Sequence, residues 1–309
     1  MDVEKLEFKK GFIERYSKIT DFEEFKKYSI LRARRSLRVN TIKTTVAKLK
    51  SEINAEWRLE QVPWCREGFW IEHDERRDIG NLPGHSLGYF YVQDAASMMP
   101  VEVLEPKAHE MVLDMCAAPG SKSTQIAAKM ENQGILVAND YKGIRLAALG
   151  INLQRMGVMN TIVTLMQGFS FRGLQFDKVL LDAPCSGTGT IRKSLKTIQM
   201  WNPLMIERLA RTQKQLARIA YQNLKPGGII VYSTCSIDPV ENEGVIDFIL
   251  EEFPEARLEQ IKLPAKSSEP ITEFDGRKYN PEVGKTLRVW PQDNNTEGFF
   301  VAKIRKENA

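Results

Sequence analysis

From residue 111 onward, short apolar runs alternate with longer amphipathic stretches. Apolar runs of about four to eight residues are typical of buried strands, whereas apolar positions three and four residues apart are typical of helices. The pattern predicts strands at Met111–Cys116, Gly134–Asp140, Asn160–Met166, Phe176–Ala183, Ile229–Thr234 and Phe299–Ile304, helices at Lys142–Met156, Leu204–Leu224 and Asn242–Phe253, and a surface loop at Ala265–Gly284. Strands that alternate with helices form a parallel sheet covered on both faces. The predicted fold class is therefore α/β, with a doubly wound sheet.

The first third of the chain has a mixed pattern. It predicts helices within residues 1–25 and at Thr44–Ile53, a cap at Asp21, strands at Ser36–Ile42 and Gly84–Val92, paired strands within Trp57–His73, and a short helix capped by Asp94 that stops at Pro100. The tryptophans and phenylalanines in these strands suit either a buried core or stacking on bases. No long Gly/Ser linker follows. We therefore expect a smaller α+β domain at residues 1–105, docked tightly on a second domain at residues 106–309.

Composition adds a possible polyanionic partner to this picture. The 309 residues are 42% hydrophobic and 27% charged, without an apolar stretch long enough for a membrane span, so a cytoplasmic protein is expected. The net charge of +4 is unevenly distributed, because Lys26–Lys50 contains nine Lys or Arg residues and no acidic residue. Such a segment favours nucleic acid, and a solvated helix face is the alternative. Arg192, Lys193 and Lys196 are further candidates for phosphate contacts.

The four cysteines do not predict a metal site or a disulfide framework. Cys65, Cys116, Cys185 and Cys235 are far apart in the chain, with no Cys-x-x-Cys pair, and only three histidines are present. Metal sites and disulfide scaffolds both require closer or more numerous ligands and thiols. We therefore expect reduced thiols and no bound metal.

The strongest local signal is the stretch from Met111 to Lys129. Its apolar run breaks at Ala117-Ala118-Pro119-Gly120, and Ser121 then occupies a potential helix N-cap position. Small residues at such a turn let a ligand approach the backbone, and the helix N-terminus attracts an acidic group. An ordinary turn without a ligand is the alternative. Asp140, 26 residues after Asp114, ends the next strand at about the distance expected for a ribose-binding carboxylate.

Two further strand ends carry chemically active residues. Asp182 precedes a Pro184-Cys185 turn with two glycines, and Cys235 ends the strand that begins at Ile229. A cysteine thiolate can add to C6 of a pyrimidine, which makes C5 nucleophilic, and Asp182 is a candidate general acid near N3. A second thiol can assist release by elimination. Each cysteine taken alone also suits an inert core position, and the spacing does not rank the two.

Several of these stretches resemble one known family. The motifs are Leu113-Asp-Met-Cys-Ala-Ala-Pro-Gly-Ser-Lys-Ser-Thr124, Asp182-Ala-Pro-Cys-Ser-Gly-Thr-Gly189, Tyr232-Ser-Thr-Cys-Ser-Ile237, Glu241-Asn-Glu243, Thr296-Glu-Gly-Phe-Phe300, Arg38-Val-Asn-Thr41 and Tyr91-Val-Gln-Asp-Ala-Ala-Ser97. They resemble the NOL/NOP/Sun family of RNA cytosine-C5 methyltransferases over the whole chain. The resemblance implies a Rossmann-like methyltransferase sheet, S-adenosylmethionine as cofactor, and an RNA substrate.

The resemblance also implies residue roles. Cys235 is expected to be the nucleophile on C6, Cys185 to aid product release, and Asp182 and Lys122 to act near the reacting centre. The expected cofactor-binding residues are Cys116 (through its backbone), Ala117, Ala118, Pro119, Gly120, Ser121, Lys122, Asp140, Arg145, Gln167 and Asp182. Gln167 is a departure, because members of the family commonly carry an acid there. A glutamine can still accept a hydrogen bond from the adenine amino group.

Three functions remain to be distinguished. Small members of the family that resemble this chain act on tRNA, which favours tRNA over ribosomal RNA. A DNA cytosine methyltransferase would use Cys185 as its nucleophile and would need a target-recognition region, which the sequence lacks. A catalytically silent RNA-binding scaffold would not need both thiols and Asp182. The target base must leave any helix to reach the thiol, so a flipped or loop nucleotide is expected.

Overall fold

A four-stranded antiparallel sheet forms the centre of the amino-terminal part of this computed structural model, which describes residues 7–53, 56–75 and 77–307. Its strands are β1 (Ser36–Val39), β2 (Arg58–Gln61), β3 (Gly68–Glu72) and β4 (Phe90–Val92). The order across the sheet is β2, β3, β1, β4. Trp57, Trp64, Phe69 and Trp70 are all buried, so these aromatic residues form core and are not stacking surfaces for bases.

The first two helices pack against the other end of the chain. They are α1 (Lys10–Tyr16) and α2 (Phe22–Ile30), and Asp21 caps α2 as predicted. Their buried aromatic residues pack with Trp201 and Trp290, and the Tyr16 hydroxyl donates to Asp238 Oδ2 at 2.8 Å. Residues 1–6, where the predicted helical pattern begins, lie outside the described residues. These helices thus share a core with the second part of the chain, and the domain boundary at residue 105 stays a prediction.

Two predictions in the amino-terminal part are wrong in detail. The predicted strand at Gly84–Val92 begins as helix α4 (Pro83–Ser86), because Gly88, at φ +74°, reverses the chain before β4. The predicted stop at Pro100 lies instead in the first turn of α5 (Met99–Leu104), where a missing N–H costs little. The predicted helix near Thr44 is α3 (Val46–Ile53).

A larger mixed sheet carries the second part of the chain and confirms the predicted α/β fold. Its strands are β5 (Met111–Asp114), β6 (Ile135–Asp140), β7 (Thr161–Leu165), β8 (Phe176–Asp182), β9 (Leu224–Thr234), β10 (Ala256–Glu259), β13 (Leu287–Val289) and β14 (Phe299–Lys306). The strands β11 (Glu273–Phe274) and β12 (Arg277–Lys278) form a separate two-stranded hairpin. The order is β10, β14, β9, β8, β5, β6, β7, with β13 paired to β14. The five strands from β9 to β7 are parallel, whereas β14 is antiparallel to β9.

Helices cover both faces of this sheet. The helices that contact the sheet are α5, α6 (Ser121–Lys129), α7 (Gly143–Met156), α9 (Pro203–Gln222) and α10 (Glu243–Glu252). Two short helices, α8 (Lys196–Met200) and α11 (Pro291–Asn294), lie in connecting segments. Side chains of a strand alternate between faces, so Val179 and Leu181 of β8 join one apolar core and Leu180 joins the other. Because β5 connects to β6 on one side and pairs with β8 on the other, a crevice opens at the carboxyl ends of β5 and β8.

Some predicted boundaries in this part are also wrong. The helix predicted to reach Leu224 ends at Gln222, and β9 already includes Pro226 and Gly227, where its pairing with β8 shifts register. The predicted loop at Ala265–Gly284 contains the β11–β12 hairpin and most of a 3₁₀ turn at Pro281–Lys285. These short elements carry too few residues for a periodic pattern to be visible in the sequence.

Candidate active site

A cavity of about 340 Å³ lies at the carboxyl ends of β5, β8 and β9. The residues that line it come from the strand ends, the turn after β5, and two loops: Ser97, Asp114, Cys116, Ala117, Ala118, Pro119, Ser121, Lys122, Arg145, Asp182, Ala183, Thr190, Lys193, Cys235, Glu297 and Phe299. Most of the residues predicted to form the site therefore share one cavity. Gly120, Asp140, Gln167 and Cys185 lie around it.

The turn Ala117–Gly120, here called the glycine turn, leads directly into α6. Gly120, not the predicted Ser121, is the N-cap residue, and its φ of +103° suits glycine. A Cβ atom on Gly120 would lie 2.9 Å from Leu149 Cδ1. No described side chain caps the helix, so N–H groups of its first turn remain available to an acidic ligand.

Asp140 and Arg145 form an ion pair beside the glycine turn. The Asp140 side chain is buried at the end of β6, and its Oδ2 atom lies 3.0 Å from Arg145 Nη1. Asp140 Oδ1 accepts a hydrogen bond from the Lys142 N–H at 3.0 Å. Arg145 also donates to the Ala118 carbonyl oxygen and lines the cavity. The Arg145 side chain therefore faces the cavity, although it keeps partial contact with solvent.

A second cavity of about 220 Å³ adjoins the first, and Cys116 lines both. Its other lining residues are mainly apolar: Met115, Asn139, Tyr141, Gln167, Gly168, Phe169, Pro184, Leu209, Thr212 and Leu216. Gln167 is therefore placed where a polar side chain meets an apolar, ring-sized space. Burial raises the pKa of the Cys116 thiol, so this cysteine is unreactive, in agreement with a contribution through its backbone.

Lys122, which is buried, and Asp182, which is partly exposed, form an ion pair on the cavity wall. Lys122 Nζ lies 2.8 Å from Asp182 Oδ2 and donates to Ser97 Oγ at 3.0 Å. The Ser233 hydroxyl donates to the other Asp182 oxygen at 2.8 Å. Burial lowers the pKa of Lys122, but the charge and hydrogen bond of Asp182 outweigh it and raise the pKa overall. Lys122 is thus a charged donor at the site.

Cys185 and Cys235, here called the thiol pair, lie with their Sγ atoms 3.4 Å apart. Cys235 lines the cavity together with Lys122 and Asp182, whereas Cys185 is not among the described lining residues. The hydrogen bond with Cys235, together with burial, raises the pKa of Cys185 well above its usual range. The structure therefore distinguishes the two thiols, which sequence spacing does not.

Two glycines hold the loops of the thiol pair close together. The Gly189 N–H donates to the Cys235 carbonyl oxygen at 2.9 Å, and the Gly298 N–H donates to the Gly189 carbonyl oxygen at 2.9 Å. A Cβ atom on Gly189 would lie 2.4 Å from the Gly298 oxygen. Only glycine fits this contact between the Cys185 loop, the Cys235 turn and the residue before β14.

Sequence reasoning missed several residues of the cavity. Asp114 is buried under it, accepts a hydrogen bond from Ser123 Oγ at 2.7 Å, and has its pKa raised by burial to about 7. Glu297 also lines the cavity, and Lys193 Nζ lies 3.3 Å from its Oε1 atom. Burial and the charge of Glu297 raise the pKa of Asp94 to about 7. Asp94, Asp114 and Glu297 all lie within the motifs quoted above, and membership of those motifs could have identified them from the sequence.

The basic segment Lys26–Lys50 is not one continuous surface. Arg38 is only 2% exposed and donates to Ser121 O and Thr124 Oγ1, both at 2.8 Å, so it joins the small sheet to α6. Arg38 therefore belongs neither to a surface for a polyanion nor to a solvated helix face, because its guanidinium is used inside the protein. Lys27, Arg32, Lys43 and Lys48 are exposed.

Arg192 is also largely engaged within the protein. Its Nη1 atom donates to Thr296 O at 2.9 Å, and its Nη2 atom donates to Asn295 Oδ1 at 2.8 Å and to Arg32 O at 3.1 Å. These bonds bring the exposed Arg32 to the rim of the loop that carries Lys193.

Within residues 7–53, 56–75 and 77–307, no helix combines the length and apolar character needed to cross a lipid bilayer.

Comparison with known proteins gives consistent matches over nearly the whole chain. The family model of the 16S rRNA methyltransferase RsmB/F matches residues 101–305, and that of the amino-terminal domain of 16S rRNA methyltransferase RsmF matches residues 8–95. A tRNA (cytosine(49)-C(5))-methyltransferase of Pyrococcus abyssi is 48% identical over 98% of both chains. The ribosomal RNA small subunit methyltransferase F of Vibrio campbellii is 44% identical over 89% of this chain and 58% of its own length.

Solved structures agree with these matches. A methyltransferase homologue from Pyrococcus horikoshii has a TM-score of 0.86 at 35% identity, covering 98% of this chain and 97% of its own. NSun6 from Pyrococcus horikoshii, determined with SFG, has a TM-score of 0.84 at 26% identity, covering 98% and 99%. The predicted resemblance is therefore confirmed: the chain belongs to the RsmB/F family of S-adenosylmethionine-dependent RNA methyltransferases, the NOL/NOP/Sun family.

Proposed function

We propose that this protein transfers a methyl group from S-adenosylmethionine to C5 of a cytosine in tRNA, through a covalent bond between Cys235 and C6. The observation that carries the proposal is that Cys235 lines the same cavity as the glycine turn and the Lys122–Asp182 pair. The 48% identity with a tRNA (cytosine(49)-C(5))-methyltransferase over 98% of both chains favours tRNA as the substrate.

The site fits S-adenosylmethionine in its polar and apolar parts. Asp140 Oδ2 is buried and accepts no hydrogen bond of good geometry from any described residue, which suits a ribose hydroxyl. The uncapped start of α6 suits the carboxylate of the methionine part, and the cavity beside Gln167 suits a purine ring. SFG, found with the NSun6 relative, is an analogue of this cofactor. When bound, S-adenosylmethionine supplies an electrophilic methyl group.

The residues of the cavity then have distinct tasks on the base. The Cys235 thiolate forms a bond to C6, and the electron pair displaced from the C5–C6 double bond makes C5 nucleophilic. The charged Lys122, held by Asp182 and Ser97, supplies positive charge close to Cys235 at the reacting centre. Asp182 is the candidate partner for N3 of the base, because it is the acid that lines the cavity from the end of β8.

The thiol pair divides formation and release of the covalent bond. After methylation, a water molecule takes the proton from C5, and the electron pair of that C–H bond re-forms the C5–C6 double bond as the Cys235–C6 bond breaks and returns the Cys235 thiolate. We assign Cys185 to this release step. Its Sγ atom lies 3.4 Å from Cys235 Sγ and behind it with respect to the cavity, and its raised pKa keeps it protonated at neutral pH. It is therefore placed to exchange a proton with its partner.

We also propose that residues 1–105 form the RNA-binding module and residues 106–309 the catalytic domain. The exposed basic residues that approach the cavity support this arrangement, since Arg32 contacts Arg192 and Lys193 lines the cavity beside Glu297. Lys196, Lys27 and Lys48 extend the set of basic side chains available to phosphates.

Ribosomal RNA is the second candidate substrate. The family models describe 16S rRNA enzymes, and relatives of that name are up to 44% identical to this chain. Those relatives are longer than this chain, which spans a little over half of their length. The identity of 48% with the tRNA enzyme over 98% of both chains favours tRNA over ribosomal RNA.

Transfer of a radiolabelled methyl group from S-adenosylmethionine to tRNA and to 16S rRNA tests the proposal directly. Wild-type protein should label a cytosine in tRNA, and Cys235→Ser should abolish labelling. Cys65→Ser is the matched control, because Cys65 is distant in the chain and does not line the cavity. Full activity of Cys235→Ser would refute the assigned nucleophile. Absence of labelling by a folded wild-type protein would favour the silent scaffold.

A further inference from the structure

The carboxylate of Glu241 lies at the centre of a buried hydrogen-bond cluster beside the thiol pair. It accepts hydrogen bonds from Ser186 N at 2.9 Å, Ser186 Oγ at 2.5 Å, Ser236 Oγ at 2.6 Å and Gln213 Nε2 at 2.9 Å. Its side chain is fully buried. Four donors on one carboxylate use its full acceptor capacity.

The donors belong to the loops of the two thiols. Ser186 follows Cys185 and Ser236 follows Cys235, so one carboxylate bonds the immediate neighbours of both cysteines. The two serine hydroxyls are 3.1 Å apart, and Thr188 Oγ1 is 3.1 Å from Ser236 Oγ. Gln213 belongs to α9, so its hydrogen bond connects the same carboxylate to that helix. Its Nε2 atom also donates to Pro184 O, next to Cys185, at 2.9 Å.

The two residues after Glu241 hold the other side of the Cys235 turn. Asn242 occupies the N-cap position of α10, but its side chain makes no capping bond. Its Oδ1 atom instead accepts from Thr234 Oγ1 at 2.6 Å, and its Nδ2 atom donates to Ser236 O at 2.9 Å. The side chain of Asn242 thus brackets Cys235 from both neighbouring residues.

Glu243 extends this bracket by one more residue. It pairs with Arg288, whose Nη2 atom lies 2.5 Å from Glu243 Oε2 and whose Nη1 atom donates to Ile237 O at 2.8 Å. All three residues of the Glu241-Asn-Glu243 motif therefore restrain the segment around Cys235. Among these three, Glu241 is the one whose contacts also reach the Cys185 loop.

We propose that Glu241 is a positioning residue: its carboxylate joins the Cys185 loop to the Cys235 turn and so fixes the distance and orientation of the two thiols. This inference deepens the proposed function and rests on it for the consequence in catalysis. Glu241 does not line the cavity, so it acts through the thiols.

A carboxylate suits this position better than an amide. Glutamine can keep an acceptor oxygen at the place of Oε1, which bonds Ser186 N and Gln213 Nε2, but its NH₂ group would then replace Oε2. The Ser186 and Ser236 hydroxyls would lose the acceptor that they share in a buried place. Burial raises the pKa of Glu241 to about 6, while the Ser186 and Ser236 bonds oppose that rise, so the group is ionised at neutral pH.

The other groups around Glu241 do not replace it. Asp238 is close but is held by Arg15 at 2.7 Å and by the Tyr16 hydroxyl. The Tyr232 hydroxyl donates to the Glu241 backbone oxygen at 2.6 Å and not to its side chain. Removing the Glu241 charge therefore leaves the two serines without an equivalent shared acceptor in the described part of the chain.

Bridging of the thiol pair by the bifunctional reagent dibromobimane tests the proposal without RNA or cofactor. Peptide mapping by mass spectrometry identifies the Cys185–Cys235 bridge, and its rate is compared between wild type and Glu241→Gln. We expect the bridging rate to fall about tenfold and methyl transfer to fall about 10-fold to 100-fold, because a displacement of about 1 Å is enough for such losses. Covalent protein–RNA adduct should accumulate, since Cys185 is displaced from its release position.

Asp247→Asn is the matched control. Asp247 is a buried acid on the following helix α10, 2% exposed, but it binds Arg277 at 2.6 Å and Asn280 N at 2.7 Å, away from the thiols. It should leave the bridging rate within about twofold of wild type. A merely stabilising role of Glu241 predicts that both variants change bridging in proportion to their loss of stability.

If folded Glu241→Gln protein forms the Cys185–Cys235 bridge at the wild-type rate, the positioning role is overturned, whatever happens to methyl transfer. If Glu241→Gln does not fold, Ser186→Ala and Ser236→Ala each remove one serine hydroxyl from the cluster, and each should slow bridging. If the wild-type protein methylates no RNA but Glu241→Gln still slows bridging, the proposed function is refuted and the positioning role stands.

Discussion

The glycine turn and the thiol pair lie at the same edge of one sheet but are assembled in different ways. The glycine turn is a continuous stretch, since β5, Ala117–Gly120 and α6 follow one another in the chain. The thiol pair joins two residues 50 positions apart, and its 3.4 Å separation depends on contacts with Glu241, Gly189 and Gly298. Substitutions at the turn should therefore change cofactor binding, and substitutions around the thiols should change chemistry.

The largest expected effect is at Asp182, which connects the two regions through Lys122. Asp182→Asn removes the charge that holds Lys122 and the candidate partner for N3, so methyl transfer at saturating cofactor should fall about 100-fold to 10,000-fold. Asp177→Asn is the control, because Asp177 begins the same strand and binds Lys225 at its opposite end. Single-turnover kinetics measure the effect. Equal losses in both variants would mean that strand stability, not chemistry, is affected.

Cys185→Ser should separate bond formation from release. Because the serine hydroxyl exchanges a proton poorly, the Cys235–RNA adduct should form and persist, and turnover should fall about 100-fold. Denaturing gel electrophoresis with labelled tRNA detects the adduct. The double variant with Cys235→Ser should form none. A Cys185→Ser protein that turns over normally would show that release does not use the second thiol.

Gly189→Ala should disturb the thiol pair through packing alone. The added Cβ would lie 2.4 Å from the Gly298 oxygen and 2.8 Å from the Cys235 oxygen, so the two loops must move apart. We expect unfolding to be easier by about 2 kcal/mol and methyl transfer to fall while the cofactor Kd stays constant. Denaturant unfolding and calorimetric titration measure the two quantities. A weakened cofactor Kd would contradict the separation of the two regions.

Asp140→Asn should affect the other region. Loss of the carboxylate that faces Arg145 weakens a hydrogen bond to a ribose hydroxyl, so the cofactor Kd should rise about tenfold, with kcat at saturation nearly unchanged. Equilibrium titration with S-adenosylmethionine provides the value. A fall in kcat with constant Kd would place Asp140 in the chemistry instead.

The smallest effect concerns the reactivity of the free thiols. The pKa of Cys185 is raised by its hydrogen bond with Cys235 and by burial, so less thiolate is present at pH 8 than in an ordinary thiol, and alkylation by iodoacetamide should be slower. Burial also raises the pKa of Cys65. Mass spectrometry after timed alkylation should find Cys235 modified first. Equal rates for Cys235 and Cys65 would count against activation of the nucleophile.

The sequence by itself determined the order of strands and helices and the nature of the turn after β5. Apolar periodicity and small turn residues are local properties, so Met111–Lys129 could be assigned correctly except for its cap, which is Gly120 and not Ser121. Local patterns were less reliable where a proline or glycine had two possible roles, as at Pro100 and Gly88.

The tertiary structure alone decided how residues distant in the chain meet. It placed Cys235 on the cavity but not Cys185, turned Arg38 inward, and brought Glu297 and Lys193 to the cavity that the glycine turn also lines. It also diverted Asn242 from capping a helix to holding the Cys235 turn. The physical reason is that hydrogen bonds and burial between distant segments depend on the register and twist of the sheet, which no short stretch of sequence encodes.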